Sequence, residues 1–497
     1  MSKEHTKRFV LFDAHNHIHL SFRQLQTQHN TNNNSDNYNN SNSNNNKNSI
    51  SNKYDIPSLM NQQQHQQNEQ TNENIHSFPF LFELSKESFE SLYNLSINII
   101  HSLFVEIDDK DEDHEEVEEE DEKEVEEKIK YMSMNGMALM STQPRDYLIV
   151  EQLSKLLATY NNKSSKDNDN NRNENDSQCR HIIPCFGVHP WFLKDANKEY
   201  DQLVLQQQQQ PHQRYQQEEQ TLEDNNCDTT LSLLSLSYQH LIHDIHYNSN
   251  NNENNNKNNN KNNNNDDPIN IIIPSWLQYL HDKLYTNPQS HVGEIGLDSA
   301  RYDNPITKEI IIPLTTQQHA FEVQLHLACH LHKSVSIHCV RCWGVFMDSL
   351  RNVKKQRLSR RKDLKMMKIH DDDDDDDDDY NKDFHILPPK IYMHAFGGNP
   401  SIVDQINAIC LKDNPLSCDI YYGFAPAINF RSPKKTEDTI RKVGIHHLVL
   451  ESDLEDYSGV KQDLESNVIF IANTLGLDVD DVVERTNDNA KRLYGVM

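Results

Sequence analysis

Eight short apolar, β-branched runs, separated by segments with helical spacing, constrain this chain more than any other feature. The runs are FVLFDAH (9–15), MALMST (137–142), HIIPCFGVH (181–189), HVGEIGLD (291–298), VSIHCV (335–340), KIYMHAF (390–396), DIYYGF (419–424) and HLVLESD (447–453). Helical patterns fall at 146–160, 317–332, 343–354, 401–411, 435–443, 461–475 and 479–494. Strands that alternate with crossover helices pair in parallel within an α/β fold.

Composition sets the size of that fold. The chain has 497 residues and a formal charge of −29, but residues 106–127 hold 16 acids against Lys110 and Lys123, and 371–379 are nine consecutive Asp. Most of the remainder is therefore only mildly acidic. The segments 24–76, 106–128, 161–179, 206–226, 247–267 and 355–383 are dominated by Asn, Gln, Ser or charged residues. Such segments cannot bury enough apolar surface to offset the entropy of ordering, and are expected to be disordered insertions. About 331 residues remain, the size of one TIM (β/α)8 barrel. The expectation is a single barrel spanning 1–497, with long Asn/Gln-rich and acidic insertions between its strands.

The sequence contains no apolar run of 18 residues, so no membrane span is expected. The N-terminal MSKEHTKRFVLFDAHNHIHL lacks a signal-peptide apolar region. Eight Cys without framework spacing are expected to be reduced thiols in a cytoplasmic or nuclear protein. Cys339 and Cys342 form a lone C-x-x-C. The plain reading is two small apolar residues near a strand end; a zinc or redox role is the alternative.

The chemistry lies where polar residues interrupt the strands. Six of the eight runs carry a His, Glu or Asp at or near the C-terminal end, and in a parallel barrel those ends open on one face. His15 and His17 stand at i and i+2, so a strand can present both imidazoles to one cation. An H-x-H by itself is more often a surface pair in a His-containing loop, and His19 extends the alternation without clear meaning. Glu294 lies within an apolar strand between Gly293 and Gly296. A carboxylate buried there requires a cationic partner. His338, His394 and Asp453 end three further strands. Singly, each is an ordinary core or mouth residue. Together, four His and two carboxylates from five strand ends are the donors that divalent zinc, manganese or magnesium select.

The runs FDAHNHIHL, GVHPW, GEIGLD, SIHCV, HAFGG, LESD and NAKRLYG, in this order, resemble the TatD-like family of metal-dependent deoxyribonucleases and hydrolases, within the amidohydrolase-like TIM barrels. The resemblance implies that His15, His17 and Asp453 hold one divalent cation and His338 and His394 a second, with Glu294 bridging. It implies that Asp453 and Glu294 are catalytic and that His189 and Arg341 contact substrate. Arg341 stands one residue later than the family's usual arginine, and Leu454-Glu455 adds a negative charge near the mouth.

The function expected is hydrolysis of phosphodiester bonds, with DNA as substrate. Two cations (Mg, Mn or Zn) would activate a water, and Asp453 would take its proton. Arg301, Arg341, Arg431, Lys434 and Lys435 are candidates to line the mouth. The alternatives are a binuclear hydrolase of a small ester or amide, and a weakly active interaction protein whose acidic insertions bind protein partners. A monomer is expected in each case.

Overall fold

A computed structural model describes residues 10–17, 86–103, 133–159, 181–198, 236–245, 273–304, 309–368, 384–411 and 418–496. The segments 24–76, 106–128, 161–179, 206–226 and 247–267 lie outside these residues, as do His19 and 369–383. Strand β1 (Val10–Asn16) pairs with β2 (Ser133–Met140), which pairs with β3 (His181–Phe186), which pairs with β4 (His291–Asp298), all in parallel. A small antiparallel hairpin, β5 (Tyr302–Asn304) and β6 (Glu309–Ile310), follows β4. The main sheet continues from β4 to β7 (Val335–Val340), β8 (Lys390–Met393) and β9 (Asp419–Tyr422), giving the order β1-β2-β3-β4-β7-β8-β9.

The eighth apolar run closes the sheet into a barrel. Leu448 makes a parallel bridge to Tyr422 of β9, and Val449 N donates to Tyr422 O at 3.1 Å. On the other side Ala14 N of β1 donates to Leu450 O at 2.9 Å, and Asp453 N donates to His15 O at 3.0 Å. The chain is thus a (β/α)8 TIM barrel whose last strand is short. The final helix, Val479–Tyr494, holds that strand: Asn489 Nδ2 donates to the carbonyls of Ile445 and Leu448, each at 2.8 Å. Its Tyr494 hydroxyl donates to Ala14 O at 2.7 Å from below the barrel.

Alternation along the strands sorts the core into two layers. Leu11, Met137, Leu139, Val292, Ile295 and Leu297 pack outward against the helices. Phe12, Ala14, Ala138, Met140, Tyr392 and Val449 fill the lumen with Leu493 and Tyr494. Gly296 pairs with His338 across β4 and β7 at φ 150°, and a Cβ there would run into the His338 carbonyl. The glycine lets these two strands approach at the height of the mouth.

Several elements differ from expectation. The helix expected at 343–354 runs from Trp343 to Lys368, so the first part of the 355–383 segment is structured. Arg357 explains the extension: buried, it stacks on Phe384 at 4.6 Å and donates through Nε to His385 O at 2.5 Å. Arg360 Nε meets Asp244 Oδ1 at 3.1 Å. Long arginines make a polar-looking segment amphipathic, with stems inside and charges paired. Helices at Lys86–Leu103, 236–245 and Leu277–Thr286 were not expected. The first buries Leu92, Leu95, Ile99 and Leu103, a helical spacing hidden between an Asn/Gln-rich stretch and the acidic run. Among the described residues no helix is long and apolar enough to cross a membrane.

Candidate metal centre

Parallel strands deliver their C-terminal residues to one rim, and the six expected donors meet there. Glu294 stands at the middle. Its Oε2 lies 3.1 Å from His17 Nε2 and 3.7 Å from His15 Nε2. Its Oε1 lies 2.6 Å from His394 Nε2, 3.0 Å from His338 Nδ1 and 3.4 Å from His189 Nε2. Asp453 Oδ1 faces His15 Nε2 at 3.6 Å, with His17 Nε2 and His394 Nδ1 each at 3.8 Å. The two oxygens of one carboxylate thus serve two groups of imidazoles.

Hydrogen bonds on the outer ring nitrogens determine which nitrogen can donate a lone pair inward. The His17 Nδ1–H donates to Met140 O at 3.1 Å, leaving Nε2 unprotonated toward the centre. His338 Nε2 faces Asp298 Oδ2 at 3.3 Å, so its Nδ1 carries the inward lone pair. Ser336 Oγ meets His15 Nδ1 at 3.0 Å, and His15 is stacked on His394 with ring centroids 3.9 Å apart. His189 is different: its Nδ1 accepts from Trp191 N at 3.2 Å, so the neutral ring carries its proton on Nε2 and donates toward Glu294. Burial pushes His189 down to about 4 and keeps it neutral.

The cluster attracts positive charge. Burial acts to lower His338, but the hydrogen bonds that its ring donates to the Asp298 and Glu294 carboxylates outweigh it and raise the group to about 10, a positive charge whose place a cation at Nδ1 would take. Burial acts to raise Glu294, yet the His394 and His189 imidazoles hold it well below the usual carboxylate range. His15 Nε2 and His17 Nε2 face one another at 3.1 Å beside Glu294 Oε2, an arrangement that a cation between them would satisfy. Buried imidazole and carboxylate donors of this type suit a borderline or hard divalent ion. By the spacing of their atoms three groups could hold one: His15, His17 and Glu294; His15, His394 and Asp453; and His189, Glu294 and His338, the last only with the proton moved off His189 Nε2.

Asp453 adopts φ 58°, a left-handed conformation rare for a non-glycine residue, at the point where the closing strand turns across the mouth. Ser452 below it donates to Asp13 Oδ2 at 2.6 Å, and Asp13 Oδ1 accepts from the backbone of His15 at 3.2 Å and of Ser452 at 3.0 Å. This clip ties the β1 donors to the last strand. Glu451 accepts from the Ala395 backbone at 2.7 Å and from the Tyr392 hydroxyl, bracing the turn after His394. Arg341 is exposed at φ 58°, and its carbonyl accepts from Ser299 Oγ at 3.0 Å. Cys339 and Cys342 are buried thiols with Sγ atoms 3.9 Å apart. Asp298, Ser336, Asp13 and Trp191 were not singled out from sequence as site residues, although they lie within the runs GEIGLD, SIHCV, FDAHNHIHL and GVHPW.

A closed (β/α)8 barrel with a His- and carboxylate-lined mouth offers donors that could hold divalent cations at the face where such barrels carry their chemistry. A model of the family described as TatD related DNase matches residues 261–495. The Cut9-interacting protein scn1 of Schizosaccharomyces pombe is 23% identical over 380 residues, covering 73% of this chain and 93% of that protein. The chain is thus similar to the TatD-like family, the family model covering a little under half of its length. Among solved structures, a TatD homologue from Escherichia coli K12 is 14% identical with a TM-score of 0.37, covering 76% of this chain and 93% of that one. An uncharacterized amidohydrolase from Saccharomyces cerevisiae is 11% identical with a TM-score of 0.36, covering 73% and 89%.

Proposed function

We propose that this protein is a metal-dependent phosphodiesterase, acting on DNA, that holds two divalent cations (Mg, Mn or Zn). The observation that carries the reading is the division of Glu294: Oε2 faces His17 and His15, while Oε1 faces His394 and His338. His15, His17 and Asp453 would hold one cation, His338 and His394 the other, and Glu294 both. When bound, such ions supply Lewis-acid polarisation of phosphoryl oxygens and a more acidic water.

The protein's own groups complete the chemistry. Asp453, with 16% of its side chain exposed, is the most open of the carboxylates at the centre and is placed to accept a proton from an attacking water. His189 Nε2–H is a neutral donor directed into the mouth, suited to a phosphoryl oxygen. Cations stand on the rim: Arg301 and Arg341 are exposed after β4 and β7, and Lys435 Nζ donates to Gly397 O at 2.6 Å after β8. These favour an anionic substrate over a neutral ester or amide. The six described cysteines are free thiols, which fits a reducing compartment such as cytoplasm or nucleus.

The test is elemental analysis of the purified protein with cleavage assays on DNA and on bis(4-nitrophenyl) phosphate. Two bound divalent ions and cleavage of both substrates, abolished by a chelator and restored by metal, is the expected result. Turnover of a carboxylic ester or amide with no phosphodiester cleavage would transfer the site to the first alternative. A second reading, as an interaction protein, is favoured by the name of the fission-yeast relative. Protein free of metal and inert on every substrate, yet bound to a partner, would favour it.

A further inference from the structure

Beside the centre, four side chains form a chain of contacts from the metal-facing imidazole to the rim. His338 Nε2 meets Asp298 Oδ2 at 3.3 Å, and that same oxygen accepts from Trp191 Nε1 at 2.7 Å. Asp298 Oδ1 is fixed by the Ala300 backbone N–H at 2.6 Å. The guanidinium of Arg301 lies over the Trp191 ring, 3.9 Å from its centroid, and that ring meets His338 edge-on at 5.8 Å. Arg301 is exposed. An indole face holds a guanidinium by a cation–π contact while leaving its N–H groups free for an anion. Arg341, after the neighbouring β7, is exposed, and among the described residues no aromatic ring is stacked on it.

We infer that Arg301, held on Trp191, binds the phosphate next to the scissile one in a nucleic-acid strand, and so makes the site prefer polynucleotides to small phosphodiesters. The inference rests on the phosphodiesterase reading above. Trp191 acts as the positioning residue: its N–H is tied through Asp298 to the same imidazole that faces the centre, so the rim cation keeps a constant distance from the reacting phosphate. The mouth already contains buried carboxylates, and a cation at the rim compensates for them.

The experiment compares wild type, Arg301→Gln, Arg301→Lys and Trp191→Phe, each loaded with the same metal, on a short single-stranded oligodeoxynucleotide and on bis(4-nitrophenyl) phosphate, which has no flanking phosphate. In Arg301→Gln the ratio of kcat/KM for DNA to that for the small diester should fall about tenfold, with the change in KM. The slope of log kcat/KM against log salt on the oligonucleotide should flatten by about 0.7, the value for one lost phosphate contact on a single strand. Arg301→Lys should restore the slope, and Trp191→Phe should lower the ratio while metal content stays at wild-type level. Equal losses on both substrates in Arg301→Gln, an unchanged slope, or a lysine that fails to restore it would overturn the inference and leave the phosphodiesterase reading standing. Wild-type protein that holds metal but cleaves neither substrate would overturn both.

Discussion

Glu294 Oε1 lies 2.6 Å from His394 Nε2, a contact that crosses the barrel mouth from β4 to the end of β8. The same carboxylate reaches His17 with its other oxygen, so a single side chain connects donors from β1, β7 and β8.

Replacing Glu294 with Gln keeps the shape but removes the charge that would hold two cations together. Activity should fall by more than about a hundredfold, the scale of losing a direct metal contact. Metal content should fall with it, while the far-UV circular dichroism stays unchanged. A variant that keeps both metals and full turnover would remove Glu294 from the bridging position.

His189 and His17 should separate cleanly although both lie against Glu294. His17 presents a lone pair, so His17→Ala should lose metal. His189 presents an N–H, so His189→Ala should retain metal by elemental analysis and lose about a hundredfold in kcat, as for loss of a donor to developing charge. Loss of metal in His189→Ala would make that imidazole a ligand.

Asn489 should be among the most sensitive uncharged polar positions for stability. Its amide satisfies the carbonyls of Ile445 and Leu448 at the start of the closing strand. Asn489→Ala leaves two acceptors without this partner and should cost about 2 to 4 kcal/mol in urea denaturation. A change below about 0.5 kcal/mol would show that the eighth strand is held by its neighbours alone.

The buried pair Glu151 and Lys283, 2.6 Å apart, predicts a pH dependence of stability. Burial acts to raise Glu151, but Lys283 and Lys155 outweigh it and hold the group at about 2, down from 4.5. A depressed carboxylate stabilises the fold above its unfolded pKa and loses that contribution as pH falls through the folded value. Glu151→Gln should therefore be less stable than wild type by about 3 kcal/mol at neutral pH. The gap should narrow between pH 4.5 and about 2. A gap that stays constant across that window would show that the cost is steric.

The strand runs and their polar ends were legible in the sequence because a parallel strand buried on both faces leaves a nearly continuous apolar run, against which His15, Glu294, His338, His394 and Asp453 stand out. Chain order along a barrel places those ends on one rim, so their convergence followed from topology. The residues that orient them carried no comparable signal. Ser336 is one serine among many, and Trp191 and Asp298 are separated by more than a hundred positions until β3 and β4 pair. The same holds for His189: only the N–H of Trp191 on its Nδ1 decides which ring nitrogen faces the centre. Sequence by itself determined the strand count, the barrel class and the donor types, because those depend on local periodicity. Tertiary structure alone decided the tautomers, the short eighth strand pinned by Asn489, the helix carried on to Lys368 by buried arginines, and the cation stacked on Trp191. Each of these depends on a partner distant in the chain that only folding brings within a few ångströms.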